Sequence, residues 1–291
     1  MELIEEFEAE RARLLSLAHR ILGSAEDAED AVQTAWVRVQ AADHTRIRTP
    51  AAWFTTVTAR LCLDQLRARG RRGETPLFAE MLPGDRIAVD EEFLRRDKVS
   101  RALMVLLDRL TPTQRVAYVL HDLFGVPFRE IADVLDTTPT NAKKLASRAR
   151  QRLEGTDPAS AEEAPRTAGH WRIVEAFLSA ARGGHIDTLV TLMAPEVVRA
   201  ADPALLPEGG AVEVIGNHAV AEETRHFADR VHASIPMLVN GAVAAVIAPG
   251  GHPIAAITFT FEDDRIARVS IARLKPTDEV RPVRPGGLRT L

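Results

Sequence analysis

Residues 138–153, TPTNAKKLASRARQRL, constrain this chain more than any other stretch. Ala142, Leu145, Ala146, Ala149 and Leu153 recur at i, i+3, i+4, i+7 and i+11, the spacing of one helical face. The opposite face carries Thr140, Asn141, Lys143, Lys144, Ser147, Arg148 and Gln151. Thr138 suits the N-cap, and Pro139 suits the first turn, where its missing N–H would have no partner. Residues 128–135 read as a shorter helix with Ile131, Val134 and Leu135 inward, and Asp136 and Thr137 make the connecting turn. A short helix, a tight turn and a second helix with Asn, Lys and Arg outward form the helix-turn-helix pattern. The plain alternative is an exposed basic helix that binds nothing, and what precedes the stretch weighs against it.

Length and charge narrow the rest. A chain of 291 residues should hold two or three domains. Hydrophobic content of 46% and charged content of 27% suit a soluble globular protein. Residues 1–155 hold 24 Lys/Arg and 24 Asp/Glu, and the remainder holds 37 − 24 = 13 and 41 − 24 = 17, so the net −4 lies entirely in the second part. The neutral first part is segregated: acids crowd into 2–10 and 26–30, bases into 60–72 and 143–152. Local basic patches, rather than total charge, set phosphate affinity. Cys62 is the only cysteine, which suits a reducing compartment. The acidic start, MELIEEFEAE, does not suit a secretory signal, and no apolar run approaches the ~20 residues of a membrane span. A cytoplasmic protein is expected.

In chain order, residues 3–22 place Ile4, Phe7, Leu14, Leu15, Ala18, Ile21 and Leu22 on one face, and Gly23 ends that helix. Ser24 with Asp27 forms the Ser-x-x-acid start of the next. There Ala28, Ala31, Val32, Ala35, Trp36 and Val39 make an apolar stripe, with Asp27, Glu29, Asp30, Gln33 and Arg38 outside. Residues 40–48 read as a loop. The helix from Pro50 packs Phe54, Val57 and Leu61, and ends in Arg67, Arg69, Arg71 and Arg72. Cations suit a helix C-terminus, but four within six residues exceed that need and suggest a phosphate-facing patch. Trp53 and Phe54 are neighbours about 100° apart on a helix, so one can face outward toward a base. Residues 73–93, with Gly73, Pro76, Pro83 and Gly84, read as a linker. From Leu94 the helical period returns through Val99, Ala102, Leu103, Leu106 and Leu110. Thr111-Pro112-x-Gln114 forms a capping box, and Gly125 stops the next helix. Two small helical bundles joined by a flexible linker are expected.

The stretches LGSAEDAEDAVQTAWVRV, TPAAWFTTVTARLCLDQLRARGRR, LTPTQRVAYVLHDLFGVPFREIADVL and NAKKLASRARQRL resemble the extracytoplasmic-function sigma factors of bacterial RNA polymerase. The resemblance covers residues 5–154 and includes both family domains in order. It implies that Asp27, Asp30, Gln33 and Trp36 dock on the clamp of the polymerase β′ subunit. Loop 41–48 would capture a flipped base of the −10 element. Trp53, Arg60, Arg67, Arg69, Arg71 and Arg72 would make contacts at and upstream of that element. Thr140, Asn141, Lys143, Lys144, Ser147 and Arg148 would read the −35 element in the major groove. The implied partners are core RNA polymerase, through the β′ clamp and the β subunit, and promoter DNA; no cofactor, metal or membrane is implied. The family often has Gly where this chain has Asp136, but Asp tolerates left-handed backbone.

Residues 156–168, rich in Ala, Pro and acid, read as a second linker. Beyond it, Trp171, Val174, Phe177, Leu178 and Ala181 form a helical stripe ending at Gly183-Gly184, 186–193 gives a short helix, and 217–229 can form a third. Strand-like runs follow at 236–239, 243–248, 254–262 and 265–273, broken by Asn240-Gly241, Pro249-Gly250-Gly251 and Asp263-Asp264. Helices first and a meander after predict an α+β domain at 169–275 with helices on one face of a curved sheet, followed by a tail, 276–291. FLSAARGGHIDTLVTLMAPEVV and the meander resemble the SnoaL-like fold, and some sigma factors of this class carry such a domain. The family's glycine-rich acidic motif appears only loosely, at 202–210, and its Asn-Pro-Asp-Lys-Leu-type ending is replaced by RLKPTDEV. The expected architecture is therefore two all-α bundles, 1–72 and 94–155, followed by a cone-shaped α+β domain.

The leading reading is a promoter-specificity subunit without chemistry of its own, modulated by its C-terminal domain. A helix-turn-helix regulator acting without polymerase would need neither the acidic docking helix nor the arginine-tailed helix. The C-terminal domain could instead hold a small ligand or an enzyme, with His185, Asp187, His218, His226, Asp229 and His232 as candidates for acid–base work. No fixed spacing pairs them.

Overall fold

The computed structural model describes residues 2–42, 47, 49–72, 84–97, 100–154 and 163–282. Two compact units divide the chain, the first ending at Glu154 and the second beginning at Gly155.

The first unit opens with three helices, α1 (Glu2–Leu22), α2 (Ala25–Gln40) and α3 (Pro50–Arg72). Their apolar stripes bury Phe7, Leu14, Ala18 and Ile21 of α1, Ala28, Ala31, Val32, Ala35 and Val39 of α2, and Phe54, Cys62 and Leu63 of α3. Each large apolar side chain buried this way stabilises by about 1.5–3 kcal/mol. Phe7 lies edge-on to Phe54 at 5.1 Å, which ties α1 to α3. Gly23, at φ 81, ends α1, and Ser24 caps α2 by accepting from the Asp27 N–H. Ile4, expected inward, is exposed, and Leu3 is buried in its place.

The stretch 73–93, expected as a linker, is helical in its second part. Residues 73–83 lie outside the described ones, and α4 spans Gly84–Arg96. Asp90 explains its docking. This carboxylate is fully buried and accepts from the Ala25 N–H at 2.7 Å, capping α2 from another element. Phe93 stacks on His19 at 4.2 Å, and Leu94 is buried.

The second bundle comprises α5 (Arg101–Leu107), α6 (Pro112–Tyr118), α7 (Phe128–Leu135) and α8 (Pro139–Glu154). The capping box at Thr111 and Gln114 forms as expected. After α6 the chain makes one π turn, Val119–Leu123, and Gly125 reverses it at φ 68. Residues up to Glu154 fall into one compact unit, in which the two helical bundles touch. Arg115 of α6, buried, donates from Nε to the Arg20 carbonyl of α1 at 3.0 Å. Arg60 of α3 donates to the Asp133 carbonyl of α7 at 2.6 Å. Arg13 and Arg20 lie over the Phe124 ring at 5.6 and 5.4 Å, and Arg20 pairs with Asp97 at 2.7 Å. Helix-end carbonyls and an aromatic face thus meet guanidinium groups all along the seam.

In the second unit, residues 155–162 lie outside the described ones. Helix α9 (Glu163–Gly183) already begins within the stretch 156–168 expected as a linker. Then come α10 (Ile186–Leu192), β1 (Met193–Ala201), β2 (Glu213–Ile215), α11 (Asn217–Thr224) and α12 (Ala228–His232). The strands β3 (Ser234–Val239), β4 (Ala242–Ile247), β5 (Ala255–Glu262), β6 (Arg265–Arg273) and β7 (Val280–Arg281) complete the unit. The described strands form one sheet ordered β2-β1-β6-β5-β4-β3-β7, with β1 parallel to β6 and the other pairs antiparallel. The expected meander is present as β3–β6. Its turns are those anticipated: Asn240-Gly241 at φ 51 and 82, and Asp263-Asp264 at φ 46 and 60. The sequence reading missed β1, β2 and β7. Pro195 and a register shift between Met193 and Val198 blur the alternation of β1. The stretch 276–291 is not wholly a tail, because β7 adds to the sheet edge at β3.

Candidate nucleic-acid interface

The helix-turn-helix forms as the residues predict. Ile131, Val134 and Leu135 of α7 are buried, and so are Ala142, Ala146, Ala149 and Leu153 of α8. Leu145 is half-buried. Asp136 adopts the left-handed conformation, φ 52 and ψ 57, so the sharp turn survives without glycine. The Thr138 hydroxyl accepts from the Asn141 N–H at 3.2 Å, capping α8. Alanines on the inner face let α8 lie close to its neighbours and push its other face outward. Thr140, Asn141, Lys143, Lys144 and Arg148 are exposed there, and Ser147 is half-buried. The Asn141 Nδ2 donates to the Thr137 Oγ1 at 2.9 Å, which orients the amide at the helix start. Arg150 and Arg152 are engaged within the bundle: Arg150 pairs with Asp122 at 2.7 Å, and the exposed Arg152 donates to Gln114 at 3.0 Å.

The expected interface residues of α2 and α3 divide into free and engaged groups. Asp30 and Gln33 are exposed. Trp36 is half-buried, its ring 4.9 Å from that of Phe7. Asp27 and Arg69 were assigned to different surfaces, yet they pair with each other at 2.6 Å, and Arg69 also donates to the Leu22 carbonyl at 3.1 Å. Arg69 therefore closes the α2–α3 junction and is not part of an open cationic patch. Arg67 and Arg71 are exposed, while the side chain of Arg72 lies outside the described residues. Arg60 is exposed but engaged with α7. Trp53 is half-buried beside fully buried Phe54, as their 100° offset requires. Of loop 41–48, residues 43–46 and 48 lie outside the described ones.

The sequence reading singled out none of the seam residues Arg13, Arg20, Asp97, Arg115 and Phe124. Burial pushes Arg115 down to about 10, with Asp108 opposing the shift at 3.7 Å. Burial likewise pushes the Cys62 thiol up, which leaves it inert at neutral pH.

In the second unit, a cavity of about 60 Å³ lies between the helices and the sheet. None of His185, Asp187, His218, His226, Asp229 and His232 lines it, and all six are exposed. Its charged lining comes from Arg199, Glu223 and Arg230. Arg199 lies on β1, the strand whose period the sequence hid. Among the described residues, no group of three or more His, Cys, Asp and Glu could hold a metal ion, and no helix is long and apolar enough to cross a membrane.

A helical first unit with a helix-turn-helix, followed by an α+β unit, defines a DNA-binding protein class with an appended domain. The sigma-70 region 2 family matches residues 7–72, and the sigma-70 region 4 family matches residues 100–153. The extracytoplasmic-function sigma factor SigJ of Mycobacterium tuberculosis is 42% identical over 207 residues, 68% of this chain and 64% of that protein. Probable sigma factor SigI of the same species is 34% identical over 200 residues, 65% of this chain and 66% of that protein. The chain thus spans slightly under two thirds of the length of these curated relatives. The crystal structure of Mycobacterium tuberculosis SigJ shares 35% identity over 93% of this chain and 96% of that one, at a TM-score of 0.45. The chain belongs to the sigma-70 family, among the extracytoplasmic-function sigma factors.

Proposed function

We propose that this protein binds core RNA polymerase and directs promoter-specific initiation, with its C-terminal domain modulating that activity. The observation that carries the reading is α8. Its alanine face is fully buried, its Asn, Lys and Arg face is exposed, and a left-handed Asp136 sets the angle to α7. Such a helix fits a major groove. The exposed Asp30 and Gln33, beside the half-buried Trp36, offer the β′ clamp an acidic edge with an aromatic neighbour. Lys143, Lys144 and Arg148 suit phosphates or guanine edges of a −35 element, and Thr140, Asn141 and Ser147 suit base edges. Trp53, Arg67 and Arg71 of α3 suit the −10 region. Arg60 gives one Nη2 bond to the Asp133 carbonyl and keeps its other N–H donors for a phosphate, and Arg69 serves the bundle itself. A factor that works on the polymerase works in the cytoplasm.

The C-terminal domain is read as regulatory. Its acidic excess disfavours a direct role in holding DNA, and the histidines and aspartates that could do acid–base work stand away from its cavity. A small ligand in that cavity is the means by which such a domain could sense. Run-off transcription with core polymerase, with and without residues 166–291, tests both parts. Promoter-specific transcripts from the full chain support the first part, and no transcript above core alone refutes it. Equal rates from full-length and truncated protein refute the regulatory part.

A further inference from the structure

The cavity of the C-terminal domain has a defined chemistry. Its floor is a row of cross-strand neighbours: Ala201 of β1 opposes Ile271 of β6, and Ile271 opposes Ile257 of β5. Arg199 opposes Val269 one step along. Side chains two apart share a sheet face, so Arg199 and Ala201 point the same way, as do Val269 and Ile271. All five line the cavity, with Phe177 of α9 and Val220 of α11 above. The sheet side of the cavity is therefore hydrocarbon except where Arg199 enters, and Glu223, Thr224 and Arg230 add polar groups from the helical side.

That arginine is almost wholly spent. Its Nε and Nη2 donate to the two Glu223 oxygens, Nε at 2.8 Å, and its Nη1 donates to the Ala211 and Val212 carbonyls at 2.9 and 3.2 Å. Its side chain is 4% exposed and that of Glu223 21%. The interior charges cancel, and the pair is costly to disturb. Each Glu223 oxygen keeps a further lone pair to offer a ligand. Arg230 is half-exposed and engaged at the rim, donating to the Leu205 carbonyl with its guanidinium 5.5 Å from the Phe227 ring. Half-exposed Leu206 and Phe227 mark the mouth. An interior of about 60 Å³ admits only a small body, and a longer one extends toward that mouth.

We propose that this cavity binds a small uncharged molecule with a hydrocarbon body and one hydroxyl or amide N–H, which it donates to the Arg199-held Glu223 carboxylate. The proposal rests on the regulatory reading for its purpose but not for its chemistry. A second charge in the site would face a neutral pair it could not improve, so acids and amines are disfavoured.

The test uses the full-length chain and one ring in three charge states: cyclohexanol, cyclohexanecarboxylate and cyclohexylammonium. Calorimetric or ligand-observed NMR titration should show saturable binding of cyclohexanol, at a dissociation constant on the order of millimolar or tighter. The two ions should bind at least about tenfold more weakly. Ala201→Leu and Val220→Phe fill the cavity from the floor and the roof, and each should abolish binding while keeping a cooperative melt. Glu223→Gln leaves Arg199 without its counter-charge and should shift preference to the carboxylate. No saturable cyclohexanol binding, equal binding of the carboxylate by the unaltered chain, or binding that survives both fillings overturns the proposal. Should one filling unfold the domain, the other and the charge ranking still decide. Binding without any effect of truncation on transcription refutes the regulatory reading alone, and a truncation effect without binding refutes the site alone.

Discussion

At the scale of single residues, the exposed face of α8 carries two kinds of side chain, to which the proposed function gives base reading and phosphate holding. Asn141 is oriented by Thr137, and its amide suits an adenine edge. Asn141→Ala should cost ~1–3 kcal/mol of binding and relax preference at one position of the −35 element. Lys144 is exposed and suits phosphate; Lys144→Ala should weaken all sequences alike and reduce the salt slope by about one. Competition binding across single-base variants at two salt concentrations checks both. Loss of affinity in each mutant with unchanged preference would remove Asn141 from base reading. Arg115 answers to a different constraint. Burial holds its folded value at about 10, below the ordinary arginine value, so the unfolded chain holds the extra proton in the alkaline window above pH 10. Stability should therefore rise with pH only across that alkaline window, and the cost of burying the cation is full below pH 10. Chemical denaturation from pH 7 to 9 should find no pH dependence that Arg115→Met removes.

Among elements, helix α2 and the seam make opposite predictions. Asp30 and Gln33 are exposed, so replacing them with Lys and Ala should leave melting within about 0.5 kcal/mol of the parent. The same double change should reduce co-purification with core polymerase, and unchanged recovery in a pull-down would take α2 out of that interface. Asp27 differs because it holds Arg69 across the α2–α3 junction. Asp27→Ala should lower stability by about 1 kcal/mol, so it is the poorer probe of docking. The seam is probed by Arg115→Ala, which strips the Arg20 carbonyl of its guanidinium partner. A cost of about 1–3 kcal/mol is expected. A dye pair on α2 and α8 should report a longer or broader distance in that variant, and an unchanged distance would mean that the remaining seam contacts suffice. At the turn, Asp136→Gly should be neutral or stabilising, whereas Asp136→Val should cost about 1–2 kcal/mol, because a branched residue resists φ 52.

For the whole molecule, the prediction is the truncation. Removing residues 166–291 should change run-off transcription at equal core saturation and leave the α8 preference for its element intact, since that helix is built wholly within the first unit. Much of this protein follows from its sequence alone. Periodicity placed α1, α2, α7 and α8, because each buries a stripe that local spacing reveals. Ser24, Thr111 and Gln114 declared their caps, and Asn240-Gly241 and Asp263-Asp264 their turns, because those conformations belong to the residues themselves. The exposed side of α8 followed from the alanines opposite it. Other features depend on partners far along the chain, and no local pattern encodes a partner. Asp90 falls in a stretch that reads as a linker, and only the fold sets its carboxylate against the N-terminus of α2. Asp27 and Arg69 looked like two surface charges until the α2–α3 packing brought them to 2.6 Å. Arg60 and Arg115 find helix-end carbonyls 73 and 95 residues away, which only the folded bundle supplies. Arg199 sits on a strand whose alternation Pro195 and a bulge conceal, and its partner Glu223 lies 24 residues on. Local propensity decided which segments are helices and turns, and the low dielectric of the packed interior decided which charges had to meet.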